Sequence, residues 1–385
     1  MWRRASLVGL AALACTPAPS QAPAASAPDA VLLPARLRRL SNIEYERTAA
    51  DLLGKRYDIA ARLPPDARQE GYTRSGSLAL SASVGPQLSR LANELAADSV
   101  HERLALLAPC AREGRADRAC EDGTIDALGA RAFRRPLEAS ERAALRSVFD
   151  QGVGEQGFAA GVELLLTALL LSPGLWYVSE GARGSEPVQR LDAFELASVL
   201  AYSVRGGPPD AELLRAAAAG ELDGPDARER QARRLLAESD TRHHFRQFVL
   251  EWLEVDLLAN TSKSSQQFPR YDALKAHMLG ETEAFADEVM VNDGARFSAL
   301  LGAGYGSLDP DMARFYGLAA YGPRVRVQDS GRLGLLQQAS FLAAHAHDNM
   351  TSPVKRGDFV LRQMLCVKLP RPTELDIEVT IPPPN

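Results

Sequence analysis

Lysine, cysteine and histidine are scarce in these 385 residues: five lysines, four cysteines and six histidines. The cationic charge is therefore almost all arginine, and acids still outnumber bases, 49 to 44. A net charge of -5 with no basic stripe excludes nucleic acid as the natural partner. No Gly-x-Ser-x-Gly elbow, P-loop or Gly-x-Gly-x-x-Gly fingerprint occurs, which removes the commonest local signatures of hydrolases and nucleotide binders. Long apolar runs are missing too. The most apolar segment, "FAAGVELLLTALLL", includes Glu163 and stops at Ser172-Pro173. It falls short of a membrane span and is expected to be a buried core helix. Strand-like alternation is equally rare.

What is present is helical periodicity. Apolar residues make up 46% of the chain, enough for a substantial core. They recur at helical spacing near 41–53, 85–98, 122–133, 138–150, 156–171, 192–204, 210–219, 225–237, 240–254, 270–292, 309–317, 332–344 and 353–366. Start signals agree: "SNIE" at Ser41 and "DAFE" at Asp192 read as capping boxes, and Ser352-Pro353 as a cap followed by proline at the first helical position. The expected fold class is all-α, built of several helical modules.

The N-terminus points to export. Arg3 and Arg4 precede an apolar stretch ending in "ALAC", the shape of a secretory signal with a lipobox-like end at Cys15. Cleavage after Ala12-Leu13-Ala14 without lipidation is the other reading. Residues 16–33, rich in Pro, Ala and Ser, then form a tether. Export makes a local disulfide between Cys110 and Cys120 the natural use of "CAREGRADRAC", and leaves Cys366 unpaired.

Other candidate groups have bland readings beside the chemical ones. His345, His347 and Asp348 in "AHAHDN" offer alternate-residue metal ligands, or ordinary loop residues between two helices. His277 and Glu281 stand four apart on one helix and read as a solvated pair. The adjacent His243 and His244 diverge by about 100° on a helix and are poorly placed to share an ion. Phe245, Phe248, Trp252 and Val255 form a stripe expected to be core. Lys355 and Arg356 are expected to pair with Asp358 or a neighbouring module.

Four stretches taken together carry a resemblance. "LRRLSNIEYERTAADLLG" at 37–54, "ARAFRRPLEASERAAL" at 130–145, "LDAFELASVLAYSVRGGPPDAELLRAAAAGEL" at 191–222, and "GRLGLLQQASFLAAHAHDNMTSPVKRGDFVLRQMLC" at 331–366 stand in one order. The chain resembles the planctomycete-type cytochrome c multi-module family, exported proteins built of domains of unknown function and found also in myxobacteria. That resemblance implies c-type haem in the full-length family, a periplasmic or surface redox partner, and membrane contact only through a lipid anchor. This chain departs from the pattern. It has no Cys-x-x-Cys-His, and covalent haem attachment needs two thiols three positions apart with the adjacent His as axial ligand. The proline-rich 370–385 resembles the linker that leads to the haem segment, so the sequence is expected to be truncated before it.

The expected organisation is a signal segment 1–15, a tether 16–33, N-terminal helical modules 34–180, a middle module 188–318, a C-terminal module 322–369 and the linker 370–385. The leading functional expectation is an exported helical scaffold of a cytochrome-type protein in electron transfer. The others are a metal-dependent hydrolase of surface polymers, with His345, His347 and Asp348 as ligands, and a non-catalytic surface binding module.

Overall fold

A computed structural model describes residues 36–69, 71–73, 84–113, 117–181, 190–294, 296–319, 325–326 and 331–367. Cys15, the tether and the linker 370–385 lie outside them. The described chain forms two units, one of residues 36–261 and 270–344, the other of residues 262–269 and 345–367.

The larger unit opens with β1 (Arg36–Arg39) and α1 (Asn42–Leu53), where Ser41 and Glu44 make the capping box that the sequence predicts. α2 (Gly85–Leu107), α3 (Arg118–Phe133), α4 (Ala139–Gln156) and α5 (Phe158–Leu171) follow, then the single turn α6 (Pro173–Trp176) and β2 (Tyr177–Glu180). β2 returns antiparallel to β1, Arg36 opposite Glu180 and Arg39 opposite Tyr177. α5 supplies the centre of the main core: Val162, Leu165, Leu166, Leu169 and Leu170 are fully buried among Leu91, Leu95, Ile125, Leu128 and Phe149. Tyr45 stacks on Trp176 at 3.7 Å, and both donate to the Leu170 carbonyl. α4 and α5 approach closely because Gly152 has no side chain. A Cβ there would stand 2.6 Å from the Ala160 carbonyl oxygen. The Cys110–Cys120 disulfide ties the segment after α2 to the first turn of α3.

Arg134 ends α3 in the left-handed conformation, φ 58°. Its buried guanidinium donates to the carbonyls of Gly174, Leu175 and Tyr177 at 2.9, 3.1 and 2.7 Å, and lies over the Tyr202 ring. Polar carbonyls around α6 thus find partners away from water.

α7 (Ala193–Val204), α8 (Ala211–Ala218) and α9 (Pro225–Leu236) share a smaller core of Ala197, Ala201, Leu213, Ala216, Ala217, Leu222 and Leu235. Then come α10 (Ser239–Trp252), α11 (Tyr271–Asp293), α12 (Phe297–Gly302), the two-residue strands β3 (Ser307–Leu308) and β4 (Val325–Arg326) around α13 (Pro310–Phe315), and α14 (Ala339–Ala344). A third core gathers Leu258, Leu274, Met278, Leu308, Met312 and Ala339. Among the described residues no helix is long and apolar enough to cross a membrane.

In the smaller unit, the Ser264 N–H donates to the Asp348 carbonyl, and an Ala346–Thr351 bridge closes a turn before α15 (Pro353–Phe359). Ser352 caps α15 as its sequence predicts, and one π turn, Val360–Met364, follows.

The all-α expectation holds, with differences at particular places. α2 runs on to Leu107 through a non-helical Arg103, and α12 is an element the periodicity did not show. The expected helix at 332–344 is instead a short turn, Leu335–Gln337, followed by α14. Gly334 sits at φ 58° against the Leu301 carbonyl, and Gln338 is extended.

Candidate functional site

On α11, Leu274, Met278, Phe285 and Val289 line the buried face, and Glu281 and Thr282 fall on that same face. Glu281 is only 7% exposed, so it does not form a solvated pair with His277. The Tyr316 hydroxyl donates to its carboxylate at 2.8 Å and accepts the Ala339 N–H at 2.9 Å. The Arg332 guanidinium lies 4.1 Å over the Tyr316 ring. Burial pushes the Glu281 carboxyl up to about 7, against the Tyr316 hydrogen bond and the Arg332 charge, with Asp309 pushing the same way as burial. A carboxyl poised there can exchange a proton near neutral pH. Beside it the Thr282 hydroxyl meets Gln338 Oε1 and the Ser340 hydroxyl at 2.8 and 2.6 Å.

His277 turns outward to α13. Its Nδ1 is 2.7 Å from Asp309 Oδ2, and its Nε2 is 3.9 Å from Asp311. Asp309 also caps α13 through the N–H groups of Asp311 and Met312. Burial works against its charge, but the Met312 N–H and His277 hold the carboxyl below the usual range. Among the described residues, His277, Asp309 and Asp311 bring three possible metal-ligating atoms within 4.8 Å of one another. His345, His347 and Asp348 do not come together in this way. His345 is buried with its ring 5.0 Å from Phe359, while His347 and Asp348 are exposed in the turn, where Lys263 donates to the carbonyls of Ala346 and His347. Lys355 and Arg356 reach the Ala346 carbonyl and the Thr351 hydroxyl, and Asp358 pairs with Arg362 instead.

A second place is concave. The stripe on α10 is only half core: Trp252 and Val255 are buried, whereas Phe248 is 46% exposed and, with Phe245, walls a cleft of about 590 Å³. Tyr72 stacks on Phe248 at 6.0 Å, and Leu236 and Met290 add apolar surface. At its base Glu251 accepts from the Thr73 hydroxyl at 2.6 Å, and burial pushes its carboxyl up. Beyond Ile43 and Arg47, which line both, a second cleft of about 650 Å³ is walled by Lys55, Arg56 and Arg205. His243 lines this second cleft and His244 the first, so the divergence expected of adjacent helical residues puts one in each. Arg47 is held at the junction by donating to the carbonyls of Arg205 and Gly206 at 2.8 and 3.1 Å. Gly206, at φ 63°, gives room: a Cβ there would collide with His244 and Arg47.

Family models match in chain order, each described as a protein of unknown function: DUF1587 over residues 38–101, DUF1595 over 120–180, DUF1592 over 191–318 and DUF1588 over 332–384. The chain belongs to the planctomycete-type cytochrome c multi-module family. No curated protein and no solved structure matches it. A covalently attached c-type haem does not fit the residues present. Cys110 and Cys120 are spent on a disulfide, and Cys366 is followed by Val367 and Lys368 with no His beside it. Within the family frame the α11 cluster and the double cleft both fall in stretches matched by the modules, α11 and α10 in the one at 191–318.

Proposed function

We propose that the chain is the exported, lipid-anchored helical scaffold of a cytochrome-type protein in periplasmic or surface electron transfer, with haem carried outside these residues. The ordered set of four family modules carries the reading. The Cys110–Cys120 disulfide supports an oxidising compartment, and "RRASLVGLAALAC" supports an anchor at Cys15.

The test is expression, with its own N-terminus, in a bacterium that matures c-type cytochromes. The chain is expected in the membrane fraction with an acylated Cys15, and Cys15→Ser is expected to release it. Purified alone it has no haem absorbance, and after cross-linking in the cell it brings a c-type haem spectrum with it. An unmodified Cys15 sinks the anchor, and a cross-linked complex without haem sinks the redox role.

A further inference from the structure

The turn ahead of α15 in the smaller unit gathers more positive charge than its acids offset. Ala346 and Thr351 face each other across a bridge, and the His347 N–H donates to the Met350 carbonyl at 2.9 Å, so the turn is tight. Two ammonium groups meet on one oxygen of this rung: Lys263 donates to the Ala346 carbonyl at 3.1 Å and Lys355 at 3.3 Å. Lys263 donates to the His347 carbonyl as well, at 2.9 Å. At the other residue of the rung, the Arg356 guanidinium donates to the Thr351 hydroxyl at 2.8 Å. All these oxygens are neutral, so they hold the three cations in place and leave their charge standing. The described residues of the smaller unit hold four cations and two acids, and Asp358 is taken by Arg362 at 2.8 Å. Asp348 then stands alone against three. Like charges brought to one carbonyl repel. Burial and the Lys355 charge pull the Lys263 ammonium below its usual range, against Asp348. An anion among these cations relieves that repulsion through charge-assisted hydrogen bonds, because each side chain has donors to spare. Next to them in the chain are two apolar side chains that the fold leaves wet, Met350 at 57% and Val354 at 80% exposed. Cations flanked by exposed apolar groups are the composition of a surface that meets an anionic bilayer.

We propose that this surface, Lys263, Lys355 and Arg356 with Met350 and Val354, docks on anionic phospholipid. Headgroup phosphate oxygens lie among the three cations, and the two apolar side chains enter the boundary of the acyl chains. The choice of a lipid as the source of phosphate rests on the anchor proposed above, which holds the chain where headgroups are abundant. Anchor and patch then act together, since each keeps the other near the bilayer while it rebinds.

The test is cosedimentation of the purified Cys15→Ser chain with vesicles, comparing equal parts of phosphatidylglycerol and phosphatidylcholine with phosphatidylcholine alone. This chain carries no acyl group, so a failed anchor and a failed surface are read separately. It is expected to bind the anionic vesicles about twentyfold more tightly, from the two charges left in excess. Lys355→Gln and Arg356→Gln should each weaken that binding about fivefold, the factor one cation supplies near an anionic bilayer. Lys355→Arg keeps the charge and should bind as the parent does. Val354→Ser should weaken binding about tenfold. Arg233→Gln, at an exposed cation paired with Glu229 elsewhere, should change nothing. Lys263 pins the turn through two carbonyls and is left in place. Equal binding to the two vesicles, no binding, insensitivity to both glutamine variants or to Val354→Ser, or an equal loss in Arg233→Gln overturns the proposal. So does displacement by millimolar inorganic phosphate at fixed ionic strength, which would show a site for free phosphate.

Discussion

Glu281 illustrates how one buried carboxyl makes stability depend on pH. Its pKa in the folded chain is about 7, against 4.5 as its ordinary value. The folded state therefore holds a proton that the unfolded chain releases between those values. Stability from this group is fully present below about 4.5 and is lost as pH rises through 7, a change of about 3 kcal/mol at most. Glu281→Gln keeps an acceptor for the Tyr316 hydroxyl but cannot ionise. Urea unfolding at pH 5 and pH 8 should show the variant close to the parent at the lower pH and more stable at the higher one. Equal pH slopes would remove Glu281 from the account. Arg134 gives the opposite lesson, a charge made useful by burial. Arg134→Ala leaves carbonyls of Gly174, Leu175 and Tyr177 without their donor and should cost about 3 kcal/mol or more in chemical unfolding. Neither role was legible in the sequence. The position of Glu281 in the stripe Leu274, Met278, Glu281, Phe285, Val289 was a usable signal, because a carboxylate in register with core residues is buried whenever the stripe is. Arg134 left no such signal, since its partners are backbone groups distant along the chain.

At the scale of elements, helices with strong local signals were legible. α1 and α7 carry complete capping boxes, and α15 carries Ser352 ahead of Pro353. Elements that depend on distant residues were not: β1 exists only because β2 pairs with it from 177–180, and the turn at Gly334 depends on the Leu301 carbonyl. The double cleft escaped for the same reason, since α1, α7, α10 and α11 each bring a fraction of it. The α4–α5 contact offers a direct check. Gly152→Ala must push backbone against backbone at Ala160 and should destabilise by about 1–3 kcal/mol. Gly154→Ala, on the same helix with nothing within 4 Å, should be neutral or stabilising by up to ~1 kcal/mol. Equal thermal shifts in the two would mean the crossing relaxes freely. The Cys110–Cys120 bond acts between elements too, and its reduction should cost about 3 kcal/mol on the loop-entropy model, read by denaturation with and without reductant.

For the whole molecule, composition and helical period led to the correct class, and four short stretches led to the family. The sites were less legible, because their residues converge from modules that the sequence presents one after another. α5 carries a consequence at this scale. Fourteen residues of helix reach about 21 Å, against roughly 30 Å of hydrocarbon. A chain threaded through an export channel is sampled for segments that would rather leave sideways into lipid. α5 is greasy enough to found a core and too short to answer that invitation, which is what the export proposed above requires of it.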